Sequence, residues 1–311
     1  MAKFIIRRVV FAIISIFVIV SATFFLMKAI PGDPITSEND EVPPEVLEAM
    51  KEHYGLNDPI MEQYGNYLIS VAKWDLGPSY KYKGTTVNEI INSSFPVSLV
   101  LGLSSLFIAI AFGLILGVLA ALHHNKSTDY ISMVVAVIGI SIPNFVVGAL
   151  LQYVFAQKLG WFPLARWGTF SHVVLPSLAI AALPMAFIAR LTRSNMLEVL
   201  STNYIKTARA KGVKKWLVTY KHALRNALLP VITFLGPMAV GILTGTFVIE
   251  QIFGIPGLGR HFITSITNRD YTVIMGTTVF YSVILIVVVL IIDISYGFID
   301  PRIKLTSGKE D

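Results

Sequence analysis

The chain has 311 residues, of which 54% are hydrophobic and only 14% charged. A soluble domain of this length carries about a quarter charged residues, and a mean hydropathy of +0.68 points the same way, so most of the surface must face lipid. The net charge is +6 and cysteine is absent, which excludes disulfides and thiolate metal sites.

A helix crossing the hydrocarbon core needs about 20 apolar residues. The segments 9–30, 95–122, 130–155, 173–190, 227–249 and 273–299 meet that length. The expected fold is therefore an all-α integral membrane protein with six transmembrane helices. The first stretch is too long for a signal-peptide core and no small-residue cleavage site follows it, so it reads as a retained anchor. The fourth carries Pro176 and Pro184. Each proline removes a backbone donor, a gap that neighbouring protein must fill, and this places the helix inside the bundle.

Between the first two spans, 31–94 is too long for a simple connection. Pro43 and Pro44 precede Val46, Leu47, Met50 and Tyr54 on one helical face, and Gly55 ends that run. Asp58 is placed to cap a second helix with Pro59 at its first position. Its stripe is Ile60, Tyr64, Tyr67, Leu68 and Val71. The segment reads as a small extracytoplasmic lid, either packed on the bundle or presented to an external partner.

Lys and Arg set the orientation. With a cytoplasmic N-terminus, the inner segments hold 16 of them and the outer segments 8, and residues 31–94 carry 11 acidic side chains. The decisive contrast is 190–225, with 9 basic residues. Both termini are expected on the cytoplasmic side of a bacterial inner (plasma) membrane. The chain divides into 1–30, a first span with its N-terminal flank; 31–94, the lid; 95–300, a core with a cytoplasmic loop at 191–226; and 301–311, a tail.

That loop is the richest stretch. Thr202 or Asn203 can cap a short helix and Gly212 can end it; a second helix then starts near Val213 and leads toward Pro230. Ala208 and Ala210 leave room for a partner to approach, while Lys206, Arg209 and Lys211 offer charge to an acidic rim. A solvated positive loop is the plainer alternative.

The run Tyr204-Ile-Lys-Thr-Ala-Arg-Ala-Lys-Gly212, followed by His222-Ala-Leu-Arg-Asn-Ala-Leu-Leu-Pro230, resembles the cytoplasmic loop of bacterial ABC-importer permeases. Lys206 and Thr207 stand where the wider family has Glu-Ala, whereas Ala208 and Gly212 match. These departures are similar to the dipeptide and oligopeptide branch. So are Pro31-Gly-Asp-Pro34, Tyr54-Gly-Leu-Asn-Asp-Pro59, Asp75-Leu-Gly77, Ser141-Ile-Pro143, Gly160-Trp-Phe-Pro163, Ile249-Glu-Gln-Ile-Phe-Gly-Ile-Pro-Gly-Leu-Gly259, Asn268-Arg-Asp-Tyr271 and Ile299-Asp-Pro301, in order along nearly the whole chain.

The resemblance implies a non-enzymatic permease of an ATP-driven peptide importer. Lys206, Thr207, Ala208, Arg209, Ala210, Lys211 and Gly212 would form its coupling helix. The implied partners are a second homologous permease, two cytoplasmic ATPase subunits and an extracytoplasmic substrate-binding protein, besides membrane lipid. Nickel and glutathione importers have permeases of similar appearance, and a self-contained secondary transporter is the alternative of another class. No Gly-x4-Gly-Lys-[Ser/Thr] phosphate loop occurs. No cofactor is therefore expected on this chain, with ATP and Mg on the partner ATPases.

Three further features bear on the transport path. Gly113-x3-Gly117 and Gly241-x3-Gly245 allow helices to approach, within the chain or toward a second permease. The segment 250–271 carries Gly254, Pro256, Gly257 and Gly259, which break regular helix. It reads as an outer gate involving Glu250, Phe253, Pro256 and Gly257, or as a plain surface loop. Asp293 is an intramembrane carboxylate, either paired near the cytoplasmic end or lining the path. Adjacent His123 and His124 diverge by about 100° on a helix and make a poor metal pair. His53, His172 and His261 leave only a weak metal possibility, and the basic loop has too little aromatic interleaving for nucleic acid.

Overall fold

The structure is a computed structural model that describes residues 2–30, 43–82, 84–244 and 246–299. Side chains of 2–5, 44, 229, 240, 243–244 and 293–299 lie outside the described set. The motif at 31–34, Gly245 and the tail 301–311 fall outside it as well. Among the described residues the regular elements are all helices, and the one β-type pairing is an isolated antiparallel bridge between Pro78 and Thr86.

Among the described residues four helices are long and apolar enough to cross a membrane: α1 (Ala2–Ala29), α4 (Val87–Leu122), α7 (Phe170–Ser201) and α13 (Tyr271–Ile299). The sequence suggested one continuous third span at 130–155. Instead α5 (Ser127–Ser141) and α6 (Asn144–Leu151, continued by a π-helix at Gln152–Lys158) are bent by 108°. Proline disfavours helical backbone in the residue before it, and Ile142 ahead of Pro143 is extended, with φ −102° and ψ 125°. Counted as one broken span, the pair is a fifth crossing. The region expected to hold the remaining span forms α10 (Arg225–Thr244), which contains Pro230 and Pro237 and has a shorter apolar stretch, Pro230–Ala239.

The helices form two compact units, residues 1–97 with 257–311, and residues 98–256. In the first, α1 runs against α13. The acidic segment supplies α2 (Pro44–His53) and α3 (Ile60–Ala72). Pro59 is the residue preceding α3, so it takes the cap position expected for Asp58. Two of the five residues of the apolar stripe expected on α3, Tyr64 and Tyr67, pack on α1. Tyr67 stacks on Phe24 at 5.5 Å, and the Tyr64 ring lies between Phe24 and Phe25 with its hydroxyl 2.6 Å from Ser21 Oγ. Leu68 and Val71 are half-buried, whereas Ile60 stays 53% exposed.

In the second unit α7 is the hub, with α5, α6 and α10 packed on it. Its spanning stretch is 61% buried, against 17% for α1, and Pro176 and Pro184 are both covered by protein. The glycines of α4 explain the close approach. A Cβ on Gly113 would lie 2.8 Å from Ile188, and one on Gly117 only 2.6 Å from the Ala189 carbonyl. The first small-residue pair is thus used within the chain. Gly241 behaves differently: a Cβ there would meet open space.

Candidate functional site

The basic loop folds as α8 (Asn203–Ala210), followed by α9 (Lys215–Leu217), which continues as a π-helix at Val218–Leu224 into α10. Thr202 precedes α8 as expected, although its hydroxyl donates backward to the Val199 carbonyl at 2.6 Å rather than capping the new helix. Gly212 ends the element. Its φ of +76° suits glycine, its N–H donates to Arg209, and the Val213 N–H donates to Ala208.

One residue anchors this helix. Ile205 is fully buried among Ala121, Met196, Val218, Ala223 and Ala227. Removing an aliphatic side chain of that kind from water stabilises the contact by about 2 kcal/mol. Asn226 Nδ2 also donates to the Tyr204 hydroxyl at 2.9 Å. Lys206, Thr207, Arg209, Ala210, Lys211 and Gly212 are exposed and Ala208 is half-buried. The element is therefore a short helix held by one apolar peg, presenting a basic, small-residue face outward. Tyr204 and Ile205 do the holding, and neither was among the functional residues suggested by the sequence.

The glycine-rich region forms α11 (Phe247–Ile252) in the second unit and α12 (Leu258–Asn268) in the first. A plain surface loop does not describe it. Glu250, Phe253, Ile255, Gly257 and Leu258 are buried, whereas Pro256 is exposed. Within the second unit, Ser98 Oγ donates to Glu250 Oε1 at 2.7 Å. Gly148 of α6 lets Ile249 and Phe253 approach closely. The irregular backbone is satisfied by protein, because the Arg166 N–H donates to the Phe253 carbonyl at 2.8 Å. Asp293 falls within α13, but its side chain lies outside the described residues.

Two charged clusters escaped the sequence reading. Asp270, fully buried just before α13, accepts hydrogen bonds from Ser79 Oγ, from the Thr272 hydroxyl at 2.9 Å and from the Tyr80 and Lys81 N–H groups at 3.3 Å. It ties the 78–82 turn to the start of α13. Burial pushes the Tyr80 hydroxyl up to about 12, with the charges of Asp270 and Tyr54 adding to the effect. The second cluster joins the α4–α5 turn to α7. Arg193 grips buried Asp129 with two bonds of 2.6 and 2.8 Å, while His124 Nδ1 and the Asn125 N–H approach the same carboxylate at 3.2 and 2.9 Å. Sequence spacing gave little sign of either, since the partners are 191 and 64 positions apart.

Among the described residues no cluster of three His, Cys, Asp or Glu side chains is placed to hold a metal ion. His261 faces the Tyr82 ring, with centroids 6.0 Å apart, and burial followed by the charge of Arg260 lowers its pKa.

Comparison with known proteins accords with this arrangement. Residues 113–305 match the family described as binding-protein-dependent transport system inner membrane component, and residues 1–102 match its N-terminal membrane component. The chain is 52% identical over 307 residues to the dipeptide transport system permease protein DppB of Bacillus subtilis (strain 168), covering 98% of this chain and 99% of that one. It is 44% identical over 306 residues to the oligopeptide transport system permease protein OppB of Escherichia coli (strain K12), covering 98% and 100%. A crystal structure of an amino acid ABC transporter with histidines shares the fold, with a TM-score of 0.52 at 17% identity, over 69% of this chain and 94% of that one. The family match over 113–305 and 44–52% identity across nearly the whole chain show that it belongs to the binding-protein-dependent transport system inner membrane component family, as a multi-pass permease subunit of an ABC transporter.

Proposed function

We propose that the chain forms half of the translocation path of an ATP-driven peptide importer and that α8 is the lever through which separate ATPase subunits move it. The pegged helix carries this reading. Ile205 fixes α8 to the ends of α4, α7 and α10, so a push on the exposed Lys206–Ala210 face must move those helices together. The peptide cargo is inferred from the names of the full-length relatives.

The remaining parts follow. A second permease packs against the face around Gly241, where Phe187, Phe234, Pro237 and Met238 line an open apolar groove of about 320 Å³. Two ATPases and an extracytoplasmic binding protein complete the complex, with ATP and Mg held by the ATPases. The chain crosses the membrane six times, α5 with α6 and α10 each making one crossing, with both termini cytoplasmic. The acidic segment at 31–94 is the lid. The buried α11 segment, with Glu250 and Phe253, and the adjoining Pro256 and Gly257 serve as the outer gate, which reorganises as the halves rock between two states. Deleting 206–212 should abolish co-purification of the ATPases while leaving the spans inserted; retained association would remove the coupling assignment.

A further inference from the structure

The Arg209 flank of α8 has a property besides the proposed coupling. Arg209 is exposed on α8 and lies one turn beyond the buried peg Ile205, at the flank of the basic face. There it lines a cavity of about 520 Å³ together with Lys215, and the remaining wall includes Leu122, Leu200, Val213 and Val218. Leu122 is the last residue of α4, and Leu200 is next to last in α7. The cavity therefore sits at the ends of two of the helices that are long and apolar enough to cross a membrane.

Two observations specify an occupant. Among the described residues neither Arg209 nor Lys215 has an acidic partner, so two cations border an apolar wall without compensating charge. Alongside, Trp216 and Tyr220 stand one turn apart and are 60% and 57% exposed. Exposed aromatics next to lysines are the side chains that settle at a membrane–water boundary. A ligand matching this lining carries a negative head and an apolar tail. Basic pockets between membrane helices bind anionic lipid headgroups for the same reason.

We propose that this cavity binds an anionic phospholipid, its phosphate held between Arg209 and Lys215 and its acyl chains along Leu122, Leu200 and Val218. The bound lipid fills the space beneath the proposed coupling helix, making the stiffness of that helix depend on the surrounding membrane. The lipid assignment stands apart from the choice of cargo or ATPase.

Native mass spectrometry of the purified full chain, titrated separately with phosphatidylglycerol and phosphatidylcholine, tests it. Phosphatidylglycerol should be retained in preference. Each cation near an anionic surface contributes about a fivefold gain, so R209Q/K215Q should weaken retention about 25-fold. The charge-conserving R209K/K215R and the neighbouring K214Q/K221Q should bind like the parent. Equal retention of the two lipids, undiminished binding by R209Q/K215Q, or loss of binding in K214Q/K221Q would overturn the site. Inorganic phosphate forms a third arm: its binding alone, with displacement of phosphatidylglycerol at millimolar concentration, would reassign the cavity to a soluble anion.

Discussion

At the residue scale, a missing Cβ and a buried ion pair both constrain the second unit. The Gly117 backbone lies so near α7 that any side chain would meet the Ala189 carbonyl and Thr192. Helix backbones cannot yield as flexible side chains do, and overpacking costs about 1–3 kcal/mol. Gly117→Val should therefore lower the thermal midpoint of the detergent-solubilised protein, whereas Gly241→Val should leave the isolated chain unaffected. The Asp129–Arg193 pair gives a second test. Arg193→Ala leaves a buried carboxylate with only His124 and the Asn125 N–H, and breaking such a pair costs about 3 kcal/mol. Asp129→Ala/Arg193→Ala removes both charges and should be less destabilised than the sum of the single variants in a double-mutant cycle. Additive losses would mean that the two groups do not act as a unit.

At the element scale, what could be read in advance divides along physical lines. The positions of α1, α4, α7 and α13 were legible because apolar length is a local property, and the stop of α8 at Gly212 was legible because a positive φ selects glycine. Pro143 was visible too, but its effect was not. A proline in an apolar run can be absorbed, as Pro176 and Pro184 are in α7, or it can break the helix, as Pro143 does. The outcome depends on which neighbours cover the freed backbone, and that information is non-local. Asp270 and Ile205 were missed for the same reason. A lone carboxylate near a span and an isoleucine in a basic loop acquire meaning only when Ser79 and Met196 are brought beside them. The α12 element carries its own prediction. His261 is held below the ordinary histidine value of about 6.5, so the folded state binds its proton less readily than the unfolded chain. Stability associated with α12 is fully present above about pH 6.5 and falls as pH drops toward the lowered value. The thermal midpoint should drop between pH 7.5 and 5.5 in the parent, and His261→Gln should reduce that difference. An identical pH response in both proteins would assign the dependence to other groups.

At the scale of the whole molecule, Gly113 and Gly117 mark packing that the chain completes alone, and Gly241 marks the face proposed above for a second permease. Gly113 and Gly117 are filled by α7, but Gly241 opens on an apolar groove whose lining would be costly to leave facing water. Lipid could cover it, since acyl chains are as apolar as its phenylalanines. Asn144 at its edge argues for a more specific cover, because a side-chain amide in hydrocarbon needs polar partners that acyl chains lack. A homologous permease supplies both an apolar helix face and backbone or side-chain polar groups, and close approach at glycine is how membrane helices pair without a hydrophobic driving force between them. Cysteines introduced at Gly241 and Met238, with oxidation in membranes containing all subunits, should therefore give a cross-link to a second permease carrying matched cysteines. Cysteines at Phe107, which is 73% exposed on α4, should give none. If Phe107 cross-links and Gly241 does not, the pairing face lies on α4 and the groove is lined by lipid.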